Sequence, residues 1–267
     1  MIDPTAHVHA MAVVEPGATI GPGCEIGPFA VIGPEVTLAA RVVVKSHAVV
    51  TGWTDVGEET VIWPFACVGE VPQDLKFKGE RTRLIVGARC RIREGATLNT
   101  GTEGGGGVTR VGDDCLLMTG AHVGHDAVLG NRVILANQAA IAGHCSLGDD
   151  VIVGGLSGIH QFVRIGRGAI IGAVTMVTND VVPHGLVQGP RGELDGLNLV
   201  GLKRRGVDRA DIMALRAAYQ MLAQGEGTFM ERARRLADET DSARVREMTD
   251  FILGATDRSF LTPKGFK

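Results

Sequence analysis

The stretch TIGPGCEIGPFAVIGPEVTLAARVVVKSHAVV, residues 19–50, decides the fold. Ile20, Ile26, Ile32, Leu38, Val44 and Val50 fall at every sixth position. That period fits neither the roughly 3.6 of an α-helix nor the roughly 2 of one long strand. Backward, the phase takes in Val14, Val8 and Ile2; forward, it reaches Val56, Ile62 and Val68. It resumes at Val86, Ile92 and Leu98, restarts one residue out of phase at Val111, and runs through Leu117, Val123, Leu129, Leu135, Ile141, Leu147, Val153, Ile159, Ile165 and Ile171 to Val177. Four residues after most of these aliphatics stands a small side chain, as at Ala30, Ala48, Ala66, Ala96, Ala121 and Ala139.

The pattern has a physical cause. Each hexapeptide is a short strand and a turn, and three of them close one coil of a triangular prism. The aliphatic points inward, the small residue fits where two faces converge, and glycine eases the turn. Coils stack about 4.8 Å apart as parallel strands. A composition with 38 glycines and only 4% aromatics suits such thin aliphatic layers. Two interruptions break the period. Between Val68 and Val86 lies a loop, EVPQDLKFKGERTR, and between Leu98 and Val111 a second one containing GTEGGGGVTR. Loops on a rigid scaffold are where binding and catalysis concentrate.

The period ends at Pro183, and a Gly-rich connector leads into helical patterning. The expected fold is all-β, a parallel β-helix of hexapeptide repeats over residues 1–185, with a C-terminal α-helical domain over 186–267. Asp208 with Asp211, and Thr228 with Glu231, mark helix starts; Gly225 and Gly254 mark stops. Helices are expected over 198–205, 208–223, 228–239 and 242–253, where they would cover the open end of the prism.

Composition narrows the function classes. A net charge of −3 gives no electrostatic case for nucleic-acid binding. The opening residues lack the basic and apolar regions of a signal peptide, and no apolar run is long enough for a membrane span. Cys24, Cys90, Cys115 and Cys145 share one inward repeat position and read as small buried thiols of a reducing cytoplasm.

Residues one coil apart stack. His125, Gly143 and Gln161 therefore form one outward ladder, and Asp126, His144 and Phe162 its neighbour. His122 and His160 lie beside them, so half of the eight histidines gather at one edge. Outward positions need no histidine for packing, so the cluster reads as a site. An imidazole can take a hydroxyl proton, and a carboxylate beside it can orient the ring and stabilise the imidazolium. Gly143 offers an N–H with no side chain in the way, which suits an oxyanion donor. With no GxSxG and no reactive Cys, direct acyl transfer fits better than a covalent acyl-enzyme.

The segments QDLK at 73–76, AHVGHD at 121–126, AGH at 142–144, GIHQF at 158–162 and NLVGLKRRG at 198–206 resemble the signatures of the UDP-N-acetylglucosamine O-acyltransferases of lipid A synthesis, across essentially the whole chain. The resemblance implies a left-handed β-helix and a cytoplasmic homotrimer with sites between subunits. It implies transfer of a 3-hydroxyacyl group from acyl carrier protein to the glucosamine 3-hydroxyl of UDP-N-acetylglucosamine, with no cofactor beyond the carrier's phosphopantetheine and no metal. It assigns His125 as general base, Asp126 as its partner and Gly143 as oxyanion donor. It also assigns Gln73, Asp74, Lys76, His122, His144 and Gln161 to sugar and reacting groups, and Asn198, Arg204 and Arg205 to the nucleotide. Arg suits diphosphate because its fork donates two hydrogen bonds at once. Ala173, atop a Thr119–Asn137–Gly155 ladder, resembles the acyl-chain end stop. Many members carry His-Arg where this chain has Asn99-Thr100, and some an acid at Val200, so those contacts do not carry over. Arg164, Arg167 and Arg216 are candidates for docking the carrier protein.

Two rival readings are weaker. A hexapeptide zinc hydratase also gathers histidines on such a prism, but it leaves the QDLK loop and the Lys203-Arg204-Arg205 segment without a purpose. A non-enzymatic ice-binding helix would need flat threonine arrays, which this chain lacks.

Overall fold

The computed structural model describes residues 1–254, 256 and 258–263. Most strands are two residues long and stack into three parallel faces. Face A has eight strands, from Thr19–Ile20 to Arg164–Ile165. Face C has nine, from Val13–Val14 to Met176–Val177. Face B has eleven. The chain visits A, then B, then C in each coil, which defines three edges, A/B, B/C and C/A. Register follows the repeat: Val44 pairs with Ile62 and Ile62 with Ile92. Both loops leave and rejoin without disturbing it, since Val56 pairs with Val86 and Val86 with Val111.

The inward aliphatics are removed from water: Ile26, Ile62, Ile92, Leu117 and Ile141 are all at most 1% exposed. Each such burial stabilises by about 1.5–3 kcal/mol. The four cysteines expected to be buried are so, and all five are free thiols.

Corners repeat one geometry. The third residue after the inward aliphatic is left-handed even where it is not glycine, as at Arg41, His47, Asp126, His144 and Asp150, with φ between 58° and 62°. Such a conformation is unfavourable by about 1–2 kcal/mol for an L-residue. A hydrogen bond to the coil below offsets it: His144 N donates to His125 O at 3.0 Å and Asp150 N to Asn131 O at 2.9 Å. The second residue after the aliphatic is proline at positions 4, 16, 22, 28, 34 and 64. Proline has no N–H, so the fold does not need one there.

The wall continues past the expected boundary at 185. Gly185–Gln188 pairs in parallel with Ile170–Ile171, then turns into an antiparallel partner, Glu193–Leu197. The sixfold period vanishes here because a hairpin replaces a coil, yet Val187 and Leu194 still point inward at 0% and 1% exposure. Four helices follow: α1 Leu199–Arg204, α2 Arg209–Ala223, α3 Phe229–Glu239 and α4 Ala243–Leu253. Asp208 accepts from Asp211 N at the start of α2, and Thr228 with Glu231 forms a capping box on α3. The helices pack onto the hairpin and last coils, where Tyr219 donates to Leu194 O and Arg164 lies over the Phe251 ring.

Candidate active site

His125 stands at the C/A corner of the coil that contains Val123, as the second residue after that aliphatic, and is only 7% exposed. Its Nδ1 lies 2.8 Å from Asp126 Oδ2. With Nδ1–H donated to the carboxylate, Nε2 is left unprotonated as a base. The ring rests on Gly143, one coil on: a Cβ there would lie 2.6 Å from His125 Nε2. Glycine is therefore required at 143 by the imidazole itself. Because 143 occupies the turn position that elsewhere holds proline, its N–H is not needed by the ladder.

Asp126 is held from three sides. Thr102 N donates to Oδ1 at 2.8 Å, Thr102 Oγ1 to Oδ2 at 2.6 Å, and Asp126 N donates to Thr109 Oγ1 at 2.7 Å. The Gly-rich second loop wraps this carboxylate so closely that a Cβ at Gly105 would fall inside it. That close approach accounts for glycine at 105. His144 Nδ1 stands 3.7 Å from the same Oδ2, too far for a hydrogen bond. Its ring meets His125 edge-on at 4.9 Å and stacks on Phe162 at 4.4 Å. Burial holds the His144 and His122 imidazoles below their ordinary range, so both are neutral at neutral pH.

Two cavities of about 340 Å³ flank this pair of rings. One contains Gln73, His122, His125, Gly143 and Gln161; the other contains Asp74, Lys76 and His144. The first loop thus contributes to both, and these eight expected residues converge with Asp126. The remaining four stand elsewhere in the chain. Asn198 is buried and engaged at both ends of its amide: Oδ1 accepts from Gly201 N at 2.9 Å as the cap of α1, and Nδ2 donates to Gly168 O at 3.0 Å. Arg204 and Arg205 end α1, with Arg205 over Gly168 on the A/B edge. Ala173 is exposed on the B/C edge. Of the arginines considered for docking, Arg164 is tied to Asp180 at 2.6 Å and Arg167 to Glu247 at 2.9 Å, which leaves Arg216 exposed on α2.

His125, Asp126 and His144 also place one potential metal-ligand atom each within 4.8 Å of one another. Asp126 Oδ2 already accepts two hydrogens, which favours its use as an orienting carboxylate over a ligand.

Sequence reading missed two participants and left a third, Asn99, without a role. Thr102 and Thr109, which fix Asp126, lie in or beside the Gly-rich loop, and the run of glycines was their signal. Asn99 lines the cavity with His125, and its place directly below Gly124 in the ladder was legible from spacing.

Residues 180–261 match the family model described as UDP-N-acetylglucosamine O-acyltransferase, domain 2. Residues 1–34, 17–52 and 109–143 match the six-repeat bacterial transferase hexapeptide. The acyl-(acyl-carrier-protein)–UDP-N-acetylglucosamine O-acyltransferase of Paracoccus denitrificans is 70% identical over 76% of this chain and 77% of its own length. The Rhizobium etli protein of the same name is 48% identical over 97% of this chain and 96% of its own. Among solved structures, the UDP-N-acetylglucosamine acyltransferase of Campylobacter jejuni superposes with a TM-score of 0.91 at 36% identity, over 96% of this chain and all of that one. No helix among the described residues is long and apolar enough to cross a membrane. The chain belongs to the acyl-(acyl-carrier-protein)–UDP-N-acetylglucosamine O-acyltransferases and is an acyltransferase of the left-handed β-helix kind.

Proposed function

We propose that this protein transfers a 3-hydroxyacyl group from the phosphopantetheine of acyl carrier protein to the 3-hydroxyl of the glucosamine in UDP-N-acetylglucosamine, the first step of lipid A synthesis, in the cytoplasm and without a metal or further cofactor. The names of its relatives support the substrates. The observation that carries the mechanism is the Thr102–Asp126–His125 chain, which ends on Nε2 beside the N–H of Gly143.

The sugar hydroxyl gives its proton to Nε2 as its oxygen forms a bond to the thioester carbonyl carbon. Negative charge gathers on the carbonyl oxygen, where Gly143 N–H donates to it. Asp126, held by Thr102, stabilises the imidazolium. Collapse breaks the C–S bond, and the proton passes from Nε2 to the departing pantetheine sulfur. The products are the sugar ester and free carrier thiol, with the base restored. Gln73, His122, His144 and Gln161 face this centre, and Asp74 and Lys76 hold the sugar from the first loop.

A homotrimer completes the site. In one protomer Asn198, Arg204 and Arg205 lie away from both cavities, and Gln161 and Phe162 are exposed. A threefold neighbour would bring a second edge against the C/A edge and close the pocket. The test incubates the full-length protein with UDP-N-acetylglucosamine and 3-hydroxyacyl carrier protein and identifies the ester by mass spectrometry, with sedimentation for the oligomer. A product acylated at the 3-position by a trimer is expected. Hydrolysis of the thioester without ester formation, or an active monomer, would overturn the reading.

A further inference from the structure

His122, His125 and His160 line one cavity, and their Nδ1 atoms meet different partners. His125 Nδ1 faces the Asp126 carboxylate at 2.8 Å, and His160 Nδ1 faces the backbone oxygen of Gln161 at 3.3 Å. Both oxygens can only accept, so each ring carries its proton on Nδ1 and leaves Nε2 bare. His122 differs. Its Nδ1 lies 2.8 Å from Thr97 Oγ1, a hydroxyl that can also donate.

The register of face C builds this contact. Thr97 pairs with His122 one coil below it, although the Gly-rich loop lies between them in sequence. Both side chains are half-buried. Neither Thr97 Oγ1 nor His122 Nε2 has a further partner among the described residues. The ring is neutral at neutral pH, because burial first and then His125 hold it below its ordinary range, so it has one N–H to place. If Nδ1–H donated to Oγ1, the hydroxyl hydrogen would be left without an acceptor in the protein, which is unfavourable. If the hydroxyl donates to a bare Nδ1, that hydrogen is used and the ring proton stands on Nε2.

We infer that Thr97 is a positioning residue that fixes His122 with its proton on Nε2, as a hydrogen-bond donor to an oxygen of the substrates bound beside the base. The inference rests on the acyl transfer proposed above, and no proton passes through Thr97. The cavity then holds two rings of opposite character. Asp126 makes His125 an acceptor for the sugar hydroxyl, while Thr97 makes His122 a donor. Thr97 also fixes the ring plane: the terminal torsion of histidine is broad and roughly twofold, and a half-turn would put carbon where Nε2 stands.

The experiment combines imidazole nitrogen NMR of histidine-labelled, full-length protein at neutral pH with kcat/KM for UDP-N-acetylglucosamine acylation. In wild type the His122 signals, identified by their loss in His122→Gln, should show a protonated Nε2 and a bare Nδ1. A protonated Nδ1 overturns the inference, and this arm needs no variant at Thr97 to fold. Thr97→Val exchanges only the hydroxyl for a methyl. It should give mixed His122 signals and lower kcat/KM about three- to tenfold, the scale of one hydrogen bond. Thr97→Ser keeps the hydroxyl and should retain the wild-type signals and rate. In a His122→Gln background Thr97→Val should cause no further loss, because Thr97 acts through the ring. A loss as large there as in wild type would make Thr97 a packing residue, and an unchanged kcat/KM in Thr97→Val would leave the ring proton without a function. Either result overturns the inference and leaves the acyl transfer standing. No ester from wild type overturns the transfer itself, and the donor role of His122 with it.

Discussion

Asp150 and Asp126 occupy the same place in their coils, the third residue after an inward aliphatic, with φ of 61° and 59°. Their surroundings set them apart. On the A/B edge Arg132 meets Asp150 at 2.8 Å, and the same stacking joins Arg41 to Glu59 and Arg89 to Asp114, each at 2.7 Å. Charges alternate from coil to coil, and the Arg132 hydrogen bonds hold the Asp150 carboxyl below the usual range. On the C/A edge no arginine stacks on Asp126. A histidine precedes it, a threonine from the Gly-rich loop covers it, and glycine stands where the imidazole must rest. The coil supplies one corner to both edges. Its immediate neighbours decide whether that corner becomes a surface ion-pair ladder or a buried histidine–aspartate pair.

The largest expected effect tests that contrast directly. His125→Ala should reduce turnover by about 10²–10⁴-fold, the usual scale for a lost general base, with the protein still folded. Arg132→Ala on the other edge should leave turnover unchanged, because an exposed ion pair contributes about 0–1 kcal/mol. Steady-state kinetics on both variants checks this; near-normal turnover in His125→Ala would erase the distinction between the edges.

His184 sharpens it from the top of the A/B edge. It has the same corner geometry, with φ of 60° and its N–H donated to Arg167 O at 2.8 Å. It is 1% exposed, and neither ring nitrogen has a partner among the described residues. Burial first, then Arg205, Arg244 and Arg167, pushes the imidazole down to about 4. Between roughly pH 6.5 and pH 4 the unfolded chain therefore binds a proton here that the folded chain does not, so stability rises with pH across that window. On acidification wild type should lose up to about 3 kcal/mol that His184→Phe retains. Urea unfolding of both proteins at pH 7 and pH 4.5 measures the difference; parallel losses would mean that His184 ionises freely in the folded state.

A smaller effect comes from the two aspartates themselves. Asp126→Asn keeps the ring but weakens its hold on the imidazolium, and should lower kcat about 10–10²-fold, less than loss of the base. Asp150→Asn should lower stability by no more than about 1 kcal/mol and leave kcat alone. Equal kcat in both variants would show that Asp126 serves packing only.

Most of this architecture is legible in the sequence because a sixfold period leaves so little freedom. Once Ile20, Ile26 and Ile32 are inward, the corner that holds His125 and the stacking of Gly143 above it follow from counting. The helix starts at Asp208 and Thr228 are equally local, since a cap needs only its own turn. Counting fails wherever the chain leaves the period. The hairpin at Gly185–Leu197 buries Val187 and Leu194 without any repeat to announce them, and the clasp of Thr102 on Asp126 depends on how an irregular loop folds back. Asn198 shows a different limit: a motif marks it for the nucleotide, while in the protomer both ends of its amide are engaged in capping α1 and tying it to Gly168.

The smallest expected effect lies on the third edge. Ala173 shares its coil with Met176, so both stand at the same height above His125, but Ala173 is on the exposed B/C corner and Met176 on face C in the cavity that contains His125. The resemblance makes Ala173 the acyl-chain end stop, and in the proposed trimer that edge would stand against a neighbour. Ala173→Met should therefore shorten the preferred donor, with a discrimination of about 1 kcal/mol, the low end of what one methylene in an apolar pocket commands. Donor competition between carrier proteins of adjacent length resolves a shift of that size. No shift at all would leave Ala173 a small residue at a tight corner.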